Sequence, residues 1–323
     1  NEARQGNYSL LSQRMQQRLE ETLNKGEQAM ILLNKRGYAS FIKCESCGEP
    51  IRCPHCDVTL TYHKAENRLK CHLCEYFTSV PQVCPECGST HLKKIGYGTQ
   101  KIEEELEKKY PAARIIRFDF DTTRNKNTHL KLLKDFEEHK ADIMLGTQMI
   151  AKGLDFSNVT FVGVLMADLS LMVPDFRASE RTFQLLCQVA GRSGRGDKQG
   201  TVMIQTFNPE HYAIKAAVKQ DYEAFFKEEM LFRKKAKYPP FCHLVSVIVQ
   251  SRTPKNVHLT ALDISKYLKE HLEKVRIIGP QPAFKMQDIY RERILIKYIE
   301  SKPIYEQLSI IDDYYNRTRK GGV

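Results

Sequence analysis

Four Cys-x-x-Cys pairs, Cys44/Cys47, Cys53/Cys56, Cys71/Cys74 and Cys84/Cys87, are packed into 44 residues of a 323-residue chain. No other feature limits the possible fold as much. A disulfide between Cys-x-x-Cys neighbours is short and easily reduced, whereas each such pair turns two thiolates toward one ion in a tight knuckle. Pro and Gly suit that turn in Cys53-Pro-His-Cys56 and Cys84-Pro-Glu-Cys87-Gly88. The pattern predicts two zinc sites of four thiolates each rather than a disulfide framework. Fourteen residues separate Cys56 from Cys71, near zinc-ribbon spacing and enough for a hairpin. A nested pairing is therefore preferred, with Cys53, Cys56, Cys71 and Cys74 as the inner site. Cys44, Cys47, Cys84 and Cys87 then close around the base of the hairpin. Cross-braced and sequential pairings use the same ligands and remain open.

His55, His63, His72 and His91 could each replace a thiolate, but eight cysteines already complete two sites, so they read as solvated loop residues. Eight thiolates leave no position for a reactive water, so the zinc is structural. Each ion would contribute on the order of 10 kcal/mol to a segment too small for a core of its own. Cys187 and Cys242 sit in apolar runs and read as buried small hydrophobes. Reduced thiols point to a cytoplasmic protein.

Lys and Arg number 50 against 39 Asp and Glu, a formal charge of +11 that calls for an anionic partner. No stretch of about 18 apolar residues is present, so a membrane span is not expected. The start, Asn1-Glu2-Ala3-Arg4, is neither a signal peptide nor an initiator Met, and the chain reads as a fragment or processed product. Outside the cysteines, helical and extended patterns alternate. Ser9 is a plausible cap for a helix through Leu11, Met15, Leu19 and Leu23, followed by the apolar run Gln28–Leu33. Further strands are expected at 114–118, 142–145, 159–166 and 200–206, with helices between them. This is the pattern of an α/β domain, a parallel sheet flanked by helices. It spans 1–208 and is interrupted by a zinc-binding insertion at 41–91. A small α+β domain fills 209–323, where 21 Lys and Arg face 14 Asp and Glu. Within it, Ile277-Ile278-Gly279-Pro280 reads as a turn.

Two segments could carry chemistry at the carboxyl ends of the strands, where open parallel sheets bind ligands. Gly146-Thr-Gln-Met-Ile-Ala-Lys-Gly153-Leu-Asp155 follows a strand directly. Gly146 lets the backbone come close, Thr147 and Gln148 offer donors to a phosphate, and Lys152 adds positive charge. The second is Gln188-Val-Ala-Gly191-Arg192-Ser-Gly194-Arg195-Gly196. Its two guanidinium forks suit phosphoryl oxygens. Each segment alone could be a solvated turn. Together, in this order, they are similar to motifs V and VI of superfamily 2 helicases, with Lys35-Arg36-Gly37 in the motif IV neighbourhood. With the four Cys-x-x-Cys pairs, Gly96-Tyr-Gly-Thr99 and Asp175-Phe-Arg-Ala-Ser-Glu-Arg181, the whole chain resembles the PriA family of bacterial replication-restart helicases.

That resemblance implies an ATP- and Mg2+-dependent 3′-to-5′ DNA translocase that recognises stalled forks and recombination loops and assembles the primosome. Residues 1–208 would be a second RecA-like helicase lobe. Arg192 and Arg195 would meet the ATP γ-phosphate from across a lobe interface, with Arg195 as the finger. Thr147 and Lys152 would hold DNA phosphates, Gly153 and Asp155 would couple that grip to the nucleotide, and Gln188 would face the nucleotide. The eight cysteines carry over as the family's two zinc sites. Implied partners are forked and single-stranded DNA, primosome proteins and single-stranded-DNA-binding protein.

One departure is large. No Gly-Lys-Ser/Thr occurs in the chain, and Asp135-Phe-Glu-Glu-His139 has Walker B letters in the wrong order and a helical setting. Alone, the chain is expected to hydrolyse ATP negligibly. A non-catalytic docking module for primosome proteins and single-stranded-DNA-binding protein is the alternative. An unrelated zinc-ribbon nucleic-acid binder would leave Arg192 and Arg195 unexplained. In the basic C-terminal part, Arg233-Lys-Lys-Ala-Lys237 could touch phosphates, and Tyr238, Phe241, Tyr290 and Tyr298 could stack on bases.

Overall fold

The computed structural model describes residues 7, 9–34, 41–56, 58–63, 67–71, 74, 76–95, 99–119, 126–148, 150, 156–171, 175–191 and 199–318. Helix α1 (Gln13–Asn24) leads into β1 (Gln28–Leu33). Five short strands follow: β2 (Phe41–Cys44), β3 (Thr61–His63), β4 (Arg68–Lys70), β5 (Phe77–Ser79) and β6 (Leu92–Ile95). Then come α2 (Thr99–Lys109), β7 (Ile115–Phe118), α3 (Lys126–Glu137), β8 (Ile143–Gly146) and β9 (Val159–Leu165). A single 3-10 turn (Ala167–Ser170) precedes α4 (Ala178–Ala190), β10 (Thr201–Ile204), α5 (Tyr212–Lys219) and α6 (Tyr222–Ala236). The chain closes with β11 (His243–Ser251), α7 (Pro254–His271), β12 (Arg276–Met286), β13 (Ile289–Tyr298) and α8 (Ser301–Thr318).

The chain divides into two compact units, one of residues 1–39 and 96–229, the other of 40–95 and 230–323. In the first, five parallel strands run in the order β10-β9-β1-β8-β7. All six residues of the central strand β1 are buried, because a parallel strand inside a doubly covered sheet has no solvent face. Its side chains alternate between two cores. Met30 and Leu32 join Phe118, Phe136, Phe183 and Leu186 on one face, while Ala29, Ile31 and Leu33 join Met15, Leu19, Ile102 and Leu106 on the other. Ser12, not Ser9, caps α1: its side chain accepts the backbone N–H of Met15. Ser9 instead donates to Glu105.

The expected division at residue 208 differs from these units. Helix α5 lays Ala213, Ile214, Ala216 and Ala217 into the core of the parallel sheet, and Phe225 of α6 stacks on Phe183 at 4.2 Å. Apolar burial thus draws the chain up to about residue 229 into the first unit. The cysteine-rich strands fall in the second unit instead. There β3, β4 and β5 form one antiparallel sheet and β2 pairs with β6.

The C-terminal sheet runs β11-β13-β12, antiparallel throughout. Residues of α7 and α8, among them Ala261, Ile264, Leu268 and Ile304, pack on its Val249, Ile294 and Ile296 face. Ile277–Pro280, expected as a turn, lies inside β12. The register slips between Ile278 and Gln281, so the sheet absorbs Gly279-Pro280 as a bulge instead of ending there. No helix among the described residues is long and apolar enough to cross a membrane.

Candidate functional site

The eight clustered cysteines gather into two groups: Cys44, Cys47, Cys84 and Cys87, and Cys53, Cys56, Cys71 and Cys74. This is the nested arrangement. Within each group all sulfurs lie within 4.8 Å of one another. Cys44 and Cys87 are 3.6 Å apart, Cys47 and Cys84 3.7 Å, and Cys53 and Cys74 3.6 Å. A tetrahedral ion with Zn–S bonds of about 2.3 Å needs S···S edges of about 3.8 Å, whereas a disulfide needs about 2.05 Å. The donors therefore fit zinc, and these are two four-cysteine zinc-binding sites. His55 and His91 make other contacts, with Asp288 and Ser89. His72 lies outside the described residues.

The outer site is built from two matching knuckles. Gly48 and Gly88 donate their N–H to the carbonyls of Cys44 and Cys84, and both need positive φ (82° and 73°), where glycine is unstrained. Cys44 N–H reaches Glu49 O at 2.9 Å, and Cys84 N–H reaches Ser89 O at 2.8 Å. Cys47 and Cys87 are exposed. The inner site is buried in an apolar cluster with Ile42, Ile51, Leu60, Tyr62 and Leu69. The thiols respond to these settings. Backbone N–H donation from Cys47 draws Cys44 down to about 6, while burial pushes Cys53 up to about 12. A dication supplies the charge that lets four thiolates share so small a volume.

The second candidate area is the carboxyl edge of the parallel sheet. Gly146 ends β8 in register with Leu32 of β1 and Phe118 of β7. A Cβ there would collide with the carbonyl oxygen of Phe118 and lie 2.9 Å from Ile150 Cγ2. Thr147 and Gln148 follow, half-buried. Lys152, Gly153, Asp155, Arg192 and Arg195 lie outside the described residues, as do Lys35, Arg36 and Gly37. Gln188 is exposed on the last turn of α4, which leads to Gly191.

Asn34 connects these segments, and sequence reasoning missed it. It is buried at the end of β1. Its Nδ2 donates to Ala167 O at 2.8 Å and to Ser170 Oγ at 2.9 Å. Ser170 Oγ in turn lies 2.6 Å from Thr182 Oγ1 on α4. Gln148 Nε2 donates to Asn34 Oδ1 at 3.5 Å, at the long end for such a bond. One polar chain thus ties the ends of β1 and β8 to the helix that carries Gln188. The available signal was a lone polar residue closing an apolar run. Asn34→Leu is expected to cost about 1–3 kcal/mol, because Ala167 O and Ser170 lose a buried partner. A lowered midpoint in urea unfolding, at unchanged slope, would read this out.

The C-terminal sheet presents a third surface. Cross-strand register places Arg276, Lys297, Arg293 and Arg291 on the face opposite α7 and α8, beside Leu244, Leu295 and Ile248. No carboxylate shares that face among the paired residues, since Glu292 points to the helix side and meets His258 Nδ1 at 2.8 Å. Two parts of the expected nucleic-acid surface are corrected. Arg233 is buried and donates to Pro239 O at 3.3 Å. Tyr298 is core, 4% exposed. Tyr238 lies under Lys297 Nζ at 3.4 Å from its ring centre, Tyr290 packs on the C-terminal core, and Phe241 stays exposed.

Comparison with known proteins agrees with these features. The PriA DNA helicase Cys-rich region matches residues 53–77, the helicase conserved C-terminal domain matches 91–197, and the primosomal protein N C-terminal domain matches 234–318. Replication restart protein PriA of Bacillus subtilis (strain 168) is 49% identical over 319 residues, which is 98% of this chain and 40% of that protein. The protein of the same name from Chlamydia pneumoniae is 43% identical over 93% of this chain and 41% of its own length. That of Synechocystis sp. is 41% identical over 92% of this chain and 37% of its own. The chain therefore spans about 40% of the length of the relatives it matches. Matched along nearly all its residues, with zinc-region, helicase and C-terminal descriptions each finding their segment, the chain belongs to the PriA family, as a counterpart of the C-terminal part of its members.

Proposed function

We propose that this chain is the C-terminal part of an ATP-dependent 3′-to-5′ DNA helicase that restarts replication at stalled or recombination-derived forks by assembling a primosome. The observation that carries the reading is the Asn34 chain of hydrogen bonds. It joins the strand end before Lys35-Arg36-Gly37, the turn that begins with Thr147 and the helix that begins motif VI. In a motor, a nucleotide-linked movement of one of these segments would have to reach the others, and a shared buried polar network is a route for it.

In this reading Arg192 and Arg195 stabilise charge on the transferred phosphoryl group. Gly153, Asp155 and Gln188 sense the nucleotide, while Thr147 and Lys152 grip DNA phosphates. ATP and Mg2+ would be held chiefly by a phosphate-cradling lobe that this sequence lacks, since it has no Gly-Lys-Ser/Thr. The two zinc ions are structural. Primosome proteins and single-stranded-DNA-binding protein are the proposed protein partners. The test is an ATPase assay of the chain alone and mixed with the phosphate-cradling half of the same protein. Negligible turnover alone and DNA-stimulated turnover in the mixture are expected. No turnover in a mixture shown to associate would overturn the motor reading and leave the docking-module alternative.

The face of the C-terminal sheet opposite α7 and α8 is the proposed second DNA contact, through Arg276, Arg291 and Arg293, while Lys297 on the same face is buried and donates to Ala236 O. Its cations lie in one register and carry interleaved apolar side chains, as a backbone-tracking surface requires. A double substitution of Arg291 and Arg293 by Ala is expected to weaken single-stranded DNA binding about tenfold at low salt. It should also reduce the slope of log K against log salt by about 2, roughly one for each phosphate no longer neutralised. An unchanged slope in a fluorescence titration would place the DNA contact elsewhere.

A further inference from the structure

The tip of the β12–β13 hairpin closes over one knuckle of the inner zinc site, from 231 residues away in the chain. Met286 pairs with Ile289, leaving Gln287 and Asp288 as a two-residue turn. Both have positive φ, 53° and 60°, the conformation of the tightest hairpin turns. Gln287 N–H points at Cys56 Sγ, 3.3 Å away. Asp288 N–H donates to His55 O at 3.0 Å, and the Asp288 carboxylate lies 2.7 Å from His55 Nδ1. Lys285 Nζ donates to Pro54 O at 2.8 Å, and Met286 packs against the apolar cluster of the inner site. Cys53-Pro54-His55-Cys56 thus has two carbonyls, one side chain and one sulfur engaged by three residues of a different hairpin, Lys285, Gln287 and Asp288. The outer site differs: its knuckles are closed by their own Gly48 and Gly88.

We propose that the inner zinc site and this hairpin form one latch, in which Gln287 and Asp288 are positioning residues for the knuckle and the loaded metal holds the C-terminal sheet to the zinc module. A zinc ion with four thiolates carries a net charge of −2, and an N–H aimed at a sulfur offsets part of it. Such outer partners orient ligands and typically change metal affinity by 10–100-fold. The linkage runs both ways: whatever the hairpin adds to zinc binding, zinc adds to hairpin docking. Without the metal, the sulfur that receives Gln287 N–H is a weak neutral acceptor and the knuckle carbonyls lose their fixed geometry. The latch is independent of the motor reading, because it needs neither nucleotide nor DNA.

The full chain tests it in two ways. In hydrogen exchange, the Gln287 and Asp288 amides are expected to exchange at least tenfold faster once Cys74→Ser disables the inner site, with Ile294 and Ile296 unchanged. Cys87→Ser, at the outer site, should leave Gln287 and Asp288 protected. Equal protection of the two amides in both variants would overturn the proposal. The second arm keeps all eight cysteines. Lys285→Ala with Asp288→Gly retains the turn but removes its side-chain grip on the knuckle. One of the two zinc equivalents should then pass to a chromogenic chelator about tenfold faster while the other keeps its rate. Cobalt substituted at the inner site should show an altered sulfur-to-metal charge-transfer band. Asp288→Asn, which keeps both the turn and a polar group facing His55, should restore most of the slow release. Identical release rates and cobalt spectra in the double variant and the parent chain would also overturn it.

Discussion

Cys71→Ser is expected to lower the zinc content from two ions per chain to one and to unfold the segment around the inner site. The parallel-sheet unit should stay folded. The reason is the size of the local core. Around the inner site, among the described residues, only Ile42, Ile51, Leu60, Tyr62 and Leu69 are buried beside three of the cysteines themselves. The strands there are three residues long. Such strands cannot offset the conformational entropy of ordering the segment, so the metal must, at about 10 kcal/mol or more per ion. The parallel sheet stands on two separate apolar clusters and needs no metal. Metal analysis beside hydrogen exchange of residues 58–63 and 67–71 would show one ion lost and protection lost together. Cys187→Ser, on α4 and outside both groups, should keep both ions. Two zinc ions retained by Cys71→Ser would refute the ligand assignment. During chelation the outer site should give up its ion first, since Cys47 and Cys87 are exposed and three of the four inner cysteines are buried.

The parallel sheet was legible because its central strand declares itself. Gln28–Leu33 is apolar at every position after the first, which only a strand covered on both faces tolerates. The zinc pairing was legible for a different reason: fourteen residues between two knuckles fit a hairpin, and β3 and β4 form it. Local features misled where tertiary packing decides. Ser9 and Ser12 both resemble caps, and the choice fell to Ser12 because Glu105, ninety-six positions away, engages Ser9. Gly279-Pro280 looks like a stop, yet β13 holds the strand on both sides of the bulge. Helix α5 is short and rich in alanine, so nothing in its own pattern announced that it would pack against the first core. The partners of Asn34 and the Gln287–Cys56 contact were invisible in sequence, since each pair is more than a hundred residues apart. Hydrophobic periodicity reports which face is buried, and says nothing about which buried polar atom meets which.

In the reassembled enzyme, Arg195→Ala is expected to reduce ATP turnover by roughly 10³–10⁵-fold, the usual worth of an arginine that stabilises charge on a transferring phosphoryl group. The expectation rests on Gln188-Val-Ala-Gly191-Arg192-Ser-Gly194-Arg195 beginning in the last turn of α4, whose Thr182 is tied through Ser170 and Asn34 to the edge of the sheet. ATP affinity should change far less than turnover, because the guanidinium acts chiefly on charge that develops in the transition state. Arg195→Lys should recover little. An ammonium carries the charge but lacks the planar fork that meets two phosphoryl oxygens at once. Zinc content and unfolding midpoint should match the parent protein, which separates loss of chemistry from loss of fold. Arg192→Ala makes the comparison sharper. If Arg192 mainly grips ground-state phosphate, its loss should raise KM more than it lowers kcat. Near-normal turnover in Arg195→Ala with a large loss in Arg192→Ala would exchange the two roles. Near-normal turnover in both would remove the phosphoryl-transfer assignment from this loop and leave the docking-module alternative.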